Sequence, residues 1–299
     1  MTDTRTPEDR RHLARRTVLA AGSVAVTAAG VGSAFAAGSA GSPGPDTDAA
    51  AAREACYTLT SELVEGPYYI DADKIRQDVT EDQDGIPLAL RLKVIDAQTC
   101  RPLRNAAVDI WHCNASGIYS GYEETGSGGG GPTGPPPSDT PTGTPTDVPT
   151  GTPTDGPPPG GGHQEPTDDA RYLRGTWRTD RHGHVAFRTV LPGWYQGRCV
   201  HIHVKVHVDG TWTDAGYEGG HTCHTGQLFF DETSVLLSAD VPPYAANTTP
   251  RTTLDEDTIY PGNGHAGGLL RLDYDHRHIA RGVHARLTLG VTPDETHDG

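Results

Sequence analysis

The nine residues VHIHVKVHV, Val200 to Val208, leave the chain less choice than any other stretch. Valine and isoleucine lose side-chain freedom in a helix and suit a pleated surface, and here they alternate with His201, His203, Lys205 and His207 at a period of two. Such a run is a β-strand, apolar on one face and carrying imidazoles and an ammonium on the other. The same period occurs in LALRLKVID, where Leu88, Leu90, Leu92 and Val94 oppose Ala89, Arg91, Lys93 and Ile95. Ala106 to Cys113, His184 to Val190, Gly226 to Phe230 and His284 to Val291 read as further short strands between Gly-, Pro- and Asp-rich turns. Only a short helix, near Asp231 to Leu237, is expected. Many short strands with few helices predict an all-β fold, an antiparallel β-sandwich.

Three segments stand outside that core. Residues 126–166 are rich in Gly, Pro and Thr, with PTGTPTD at 141–147 and again at 149–155. This composition has almost nothing to bury, so it reads as a long disordered insertion in a surface loop of one domain spanning 56–299. Loop closure costs little more as a loop lengthens, so the fold tolerates it. Residues 37–55 read as a disordered connector. Residues 1–36 read as an export signal of the twin-arginine type: Arg15 and Arg16, an uncharged Ala/Val/Gly stretch, then small residues at Ala34 to Ala36. The stretch is long enough to serve as a retained anchor, but its weak apolarity favours cleavage. The expected location is therefore periplasmic or extracellular.

The formal net charge is −15, and no run of Lys or Arg follows the leader, which argues against nucleic acid as a partner. Five cysteines, Cys56, Cys100, Cys113, Cys199 and Cys223, cannot all pair within one chain. No C-x-x-C occurs, which excludes a structural zinc ribbon.

The chemistry begins with His201 and His203. Residues i and i+2 of a strand share a face, so the two imidazoles stand side by side as a natural pair of metal donors. The H-x-H at His182 and His184 lies in a turn and is expected to bind nothing. A cupin site would need a glutamate where His207 stands, and a copper–zinc dismutase needs further histidines and a bridging aspartate in another order. Tyr195, in PGWYQGR, runs directly into the histidine strand. A phenolate is a hard anionic donor suited to Fe(III), and with a free pKa of about 10 it needs a strong Lewis acid to ionise near neutrality. Tyr119, after a strand and a small-residue turn, is a second phenol.

EGPYY (Glu65 to Tyr69), DIWHCNASGIYSGY (Asp109 to Tyr122), LRGTWRTDRHGHVAFRTVLPGWYQGRCVHIHVKV (Leu173 to Val206) and TGQLFF (Thr225 to Phe230), in that order, resemble the intradiol ring-cleavage dioxygenases. The likeness is to their exported, protocatechuate-dioxygenase-like branch. The resemblance implies a mononuclear non-haem Fe(III) held by Tyr119, Tyr195, His201 and His203. It makes Arg198 and Tyr195 catalytic, Arg198 by steadying charge that develops on the substrate, and it places Trp111, Gln227 and Tyr68 at the substrate pocket. The implied reaction opens a catechol between its two hydroxyls with O2, giving a muconate-type diacid. The partners are then catechol and O2, with no lasting membrane partner after signal cleavage; a homodimer is compatible with this.

The six-residue step from Tyr195 to His201 is short for the aromatic-degrading members and shortens one pocket wall. The insertion follows Tyr119 closely, so it is expected near the site's mouth. Cys199 is expected to be structural, Cys113 a disulfide or core thiol, and HTCH (His221 to His224) a polar loop. His265, His276, His278 and His284 are expected at the surface, and Glu65 in an ordered N-terminal segment. The rival from another class is a non-catalytic extracellular sandwich module that binds a metal, a polyphenol or a carbohydrate. Four donors plus an arginine argue against it, since binding alone does not need all five.

Overall fold

The computed structural model describes residues 59–71, 74–125 and 164–297; the segments predicted as export signal and connector, and nearly all of the Gly/Pro/Thr tract, lie outside them. Among the described residues, ten strands and one α-helix occur in chain order: β1 (Pro87–Asp96), β2 (Ala107–Trp111), β3 (Arg174–Arg178), β4 (His184–Val190), β5 (His201–Val208), β6 (Thr211–Trp212), β7 (Tyr217–Glu218), β8 (His221–Phe229), α1 (Glu232–Ala239), β9 (Arg271–Tyr274) and β10 (Val283–Val291). They form a four-stranded sheet of order β4-β1-β10-β9, a second of order β3-β2-β5-β8, and a small β6-β7 ribbon. Every pairing is antiparallel except that of β1 with β10, which run parallel.

The expected alternation decides which faces meet. Leu88, Leu90, Leu92 and Val94 of β1 and Ala285 and Leu289 of β10 are buried in one cluster with Val108 and Ile110 of β2 and Ile202, Val204 and Val206 of β5. Each fully buried Leu, Ile or Val contributes roughly 1.5–3 kcal/mol, so the two inner faces hold the sandwich together. His201, His203 and Lys205 are thereby turned to the outer face of β5. That face is covered in turn, since all three side chains are buried. The cover includes the N-terminal segment: Leu63 N–H donates to the Thr225 carbonyl at 2.9 Å, and Lys205 pairs with Glu65 at 3.0 Å. Glu65 thus sits in an ordered N-terminal segment, as expected.

Four features depart from expectation. β3 and β9 are short and charged, and the β6-β7 ribbon has two residues a side. β8 starts at His221, so HTCH is strand and not a polar loop; Thr222, Cys223 and His224 are buried. Thr222 Oγ1 meets Nδ1 of its cross-strand neighbour His207 at 3.1 Å, and His224 Nδ1 meets Glu62 at 2.5 Å, while His224 Nε2 is buried with no hydrogen-bond partner among the described residues. The predicted helix is α1, capped by Asp231, whose side chain accepts from Ser234 N–H at 2.9 Å. Cys113, Cys199 and Cys223 are free, buried thiols, and Cys100 is disulfide-bonded. No helix among the described residues is long and apolar enough to cross a membrane.

Candidate active site

Across the outer face of the second sheet, the register sets Arg174, Trp111, His203 and Gln227 in one row on β3, β2, β5 and β8. His201 lies one pleat further along β5, opposite Phe229. Two loops at this end of the sheet deliver the tyrosines. In the first, Asn114 closes a tight turn: its Oδ1 accepts from Ser116 N–H at 3.0 Å and Ile118 N–H at 3.1 Å, which aims Tyr119 back over the sheet. The second carries Trp194 and Tyr195. The loops interlock through glycines, because a Cβ on Gly117 (φ +82°) would stand 2.2 Å from the Trp194 carbonyl oxygen, and one on Gly193 would stand 2.2 Å from that of Ala115. Only bare backbone permits that approach.

The four donors converge. His201 Nε2 lies 3.1 Å from His203 Nε2, 3.3 Å from Tyr195 Oη and 3.5 Å from Tyr119 Oη. All four side chains are buried. His201 Nδ1 lies 2.7 Å from the Cys199 carbonyl, which accepts its proton and leaves Nε2 with a free lone pair toward the cluster. Burial, followed by the nearby Arg198 charge, lowers the His201 pKa to about 3, and burial and His201 hold His203 well below the usual range. Both imidazoles are therefore neutral donors at neutral pH. Burial raises both phenols above their ordinary value. Nothing among the described side chains would ionise them.

The predicted pocket residues lie around this cluster. Trp111 stacks on His203 with centroids 4.8 Å apart and 9° between planes, so its indole backs the imidazole directly. Tyr68 stacks on Tyr119 at 4.8 Å. Arg198 donates through a terminal nitrogen to Gln227 Oε1 at 2.5 Å, and Gln227 Nε2 donates to the Val64 carbonyl at 3.1 Å. Cys199 is a buried thiol, in keeping with a structural role.

Two groups had no sequence signal. Asp257, fully buried in an aperiodic loop, accepts Arg198 Nε–H at 2.9 Å and Cys199 N–H at 2.8 Å on one oxygen, and the N–H groups of Ile259 and Tyr260 on the other. Burial alone would raise its pKa, but Arg198 and those N–H groups outweigh it and pull it down to about 2. Arg174 ties down the chain just after Tyr119, donating to Ser120 Oγ at 2.9 Å and to the Ser120 carbonyl at 2.8 Å.

A dioxygenase family model matches residues 64–129, from the N-terminal segment through Tyr119 to the start of the Gly/Pro/Thr tract. Among curated proteins, catechol 1,2-dioxygenase of Acinetobacter baylyi is 38% identical over 72 residues, 22% of this chain and 23% of that protein. Catechol 1,2-dioxygenase 1 of Acinetobacter lwoffii is 29% identical over 85 residues, 27% of each. These matches span about a quarter of the curated relatives' length. Among solved structures, an intradiol ring-cleavage dioxygenase from Tetranychus urticae is 29% identical with a TM-score of 0.61, covering 81% of this chain and 98% of that one. The sequence matches, the sandwich and that structural likeness agree in supporting the intradiol ring-cleavage dioxygenase family as the one this chain resembles.

Proposed function

We propose that this chain is an exported, Fe(III)-dependent intradiol dioxygenase that opens a catechol-type ring between its hydroxyls, placing both atoms of O2 in the two carboxyls of a muconate-type diacid. The observation that carries this reading is the convergence of His203 Nε2, Tyr195 Oη and Tyr119 Oη on His201 Nε2 within 3.5 Å. Donors sharing one ion through bonds of about 2 Å stand roughly 3–3.5 Å apart, so the set fits a single cation. Two neutral imidazoles and two phenols favour ferric iron among common metals, since the phenols need a strong Lewis acid to ionise. When bound, Fe(III) supplies the Lewis acidity that makes a catecholate ring reactive toward O2.

The remaining work falls to the chain. Tyr195 Oη is the phenol oxygen placed to take a catechol proton: burial makes its phenolate a strong base, and Arg198 is the nearby charge that opposes this effect. Arg198, forked between Asp257 and Gln227, is held in one orientation to steady negative charge that develops as the ring opens. Tyr68 and Trp111 stack behind Tyr119 and His203 and keep water from reaching the donors from behind.

The test is a visible absorption spectrum of the purified, iron-loaded protein, with and without catechol, followed by oxygen uptake. The expected result is a phenolate-to-iron charge-transfer band that moves to longer wavelength with catechol, and consumption of one O2 per ring opened. Tyr195→Phe is expected to shift that band and to lower kcat at least 100-fold. A protein that stays colourless after iron loading, or a Tyr195→Phe variant with full activity, overturns the assignment.

A further inference from the structure

No run of basic residues follows the leader, yet folding assembles one on the other side of the molecule. The outer face of the sheet β4-β1-β10-β9 carries Arg91 of β1 directly opposite Arg286 of β10, which is directly opposite Arg271 of β9. Three guanidiniums thus stand in one row across three adjacent strands, about 5 Å from strand to strand. Lys93 lies two residues along β1 on the same face, and Arg178 and Trp177 of β3 complete the wall of the same cavity, about 1500 Å³ in volume. All four sheet cations are exposed. None of the five cations has an ion pair or side-chain hydrogen bond among the described residues. The one acid in this wall, Asp180, is committed to its own turn, accepting the N–H groups of His182 at 2.8 Å and His184 at 2.9 Å.

Like charges directly opposite one another destabilise a sheet, and this chain has acids to spare, with a formal net charge of −15. A row of unpaired arginines in such a protein is a local cost that a bound anion would offset. Guanidinium forks match carboxylates two bonds at a time, and one fork per strand suits a ligand that presents successive carboxylates along its length. The overall negative charge works against broad, densely charged phosphate surfaces, whose repulsion sums over the whole protein. A short oligomer meets chiefly the row itself, because charges beyond about 8 Å are screened. Trp177 adds an aromatic face on which a sugar ring can stack.

We propose that this face binds an acidic oligosaccharide, with uronate carboxylates held by Arg91, Arg286 and Arg271 and flanked by Lys93 and Arg178. The inference does not depend on the dioxygenase reading, since the row lies on the outer face of the opposite sheet from the histidines.

The experiment is calorimetric titration of the full chain with a defined oligogalacturonate, alongside a neutral oligosaccharide, anionic phospholipid vesicles and single-stranded DNA. Oxygen uptake with catechol is read on the same samples. The expected result is binding of oligogalacturonate alone, weakening steeply between roughly 50 and 200 mM salt. It should weaken at least tenfold in Arg91→Gln/Arg286→Gln and in Arg271→Gln, with catechol turnover unchanged. The double variant should also melt no lower than the parent, since it removes a like-charge pair. Absence of oligogalacturonate binding at low salt, binding that survives these substitutions, or a preference for vesicles or DNA each overturns the proposal. A chain that binds the oligosaccharide but lacks turnover would instead fail the dioxygenase reading and leave this one standing.

Discussion

At the level of single residues, the four candidate donors were legible because each obeys a local rule. His201 and His203 share a face by strand period, and Tyr195 and Tyr119 each end a turn beside a strand. Asp257 obeys no such rule. It lies 59 residues beyond Arg198 in an aperiodic loop, and only the fold brings it to 2.9 Å. Replacing it tests its role as the residue that positions Arg198. Asp257→Asn should lower kcat about tenfold while KM for catechol and iron content change little, a split that simple loss of folded protein would not give. Its carboxyl is held near pH 2 against an ordinary 3.8. The stability it contributes is therefore complete above about pH 4 and lost as pH falls toward 2, amounting to roughly 2 kcal/mol. Urea denaturation between pH 2 and 5 should show that acid limb in the parent and not in Asp257→Asn.

At the level of elements, alternation made β1, β5 and β10 visible, since each buries one apolar face in the sandwich core. It could not show β3, β9 or the first half of β8. Those segments are short or polar, and they become strands because a neighbour supplies the ladder and distant side chains meet some of their polar groups, as Glu62 does for His224 Nδ1. The two tyrosine loops depend on backbone contact at glycine. Gly117→Ala forces a left-handed backbone on alanine and a Cβ into the Trp194 carbonyl, so it should cost roughly 2–5 kcal/mol. It should also reduce iron per protein, because Tyr119 and Tyr195 lose their common frame; thermal melting and metal analysis check both. The N-terminal cover rests on the buried Lys205–Glu65 pair at 3.0 Å. Removing one partner with Glu65→Ala should cost about 3 kcal/mol in urea denaturation, most of it from desolvated charge on Lys205.

At the level of the whole molecule, the Gly/Pro/Thr tract leaves from and returns to one small knot of hydrogen bonds. Asp168 accepts the N–H groups of Gly121 at 3.0 Å and Glu123 at 2.8 Å, Thr167 N–H donates to the Gly121 carbonyl at 2.7 Å, and Tyr122 Oη donates to the Gln164 carbonyl at 2.7 Å. These bonds join the described residues on either side of the tract. Replacing residues 126–163 with a short Gly/Ser linker should therefore leave the melting temperature within about 2 °C and kcat/KM for catechol within about twofold. A larger loss would give the tract a part in folding or in the site.

Taken alone, the sequence determined the features that local period and donor chemistry dictate: a sandwich of short strands, a histidine pair on one strand face, and phenols that suit ferric iron. Those properties need only the order of neighbouring residues. Tertiary structure alone decided everything that depends on register between distant segments. It set Trp111 against His203, turned Asp257 toward Arg198, drew HTCH into a buried strand, and lined up Arg91, Arg286 and Arg271 across three strands. The physical reason is the same in each case: side chains from segments far apart in sequence meet only once strand pairing has chosen which residues stand opposite one another.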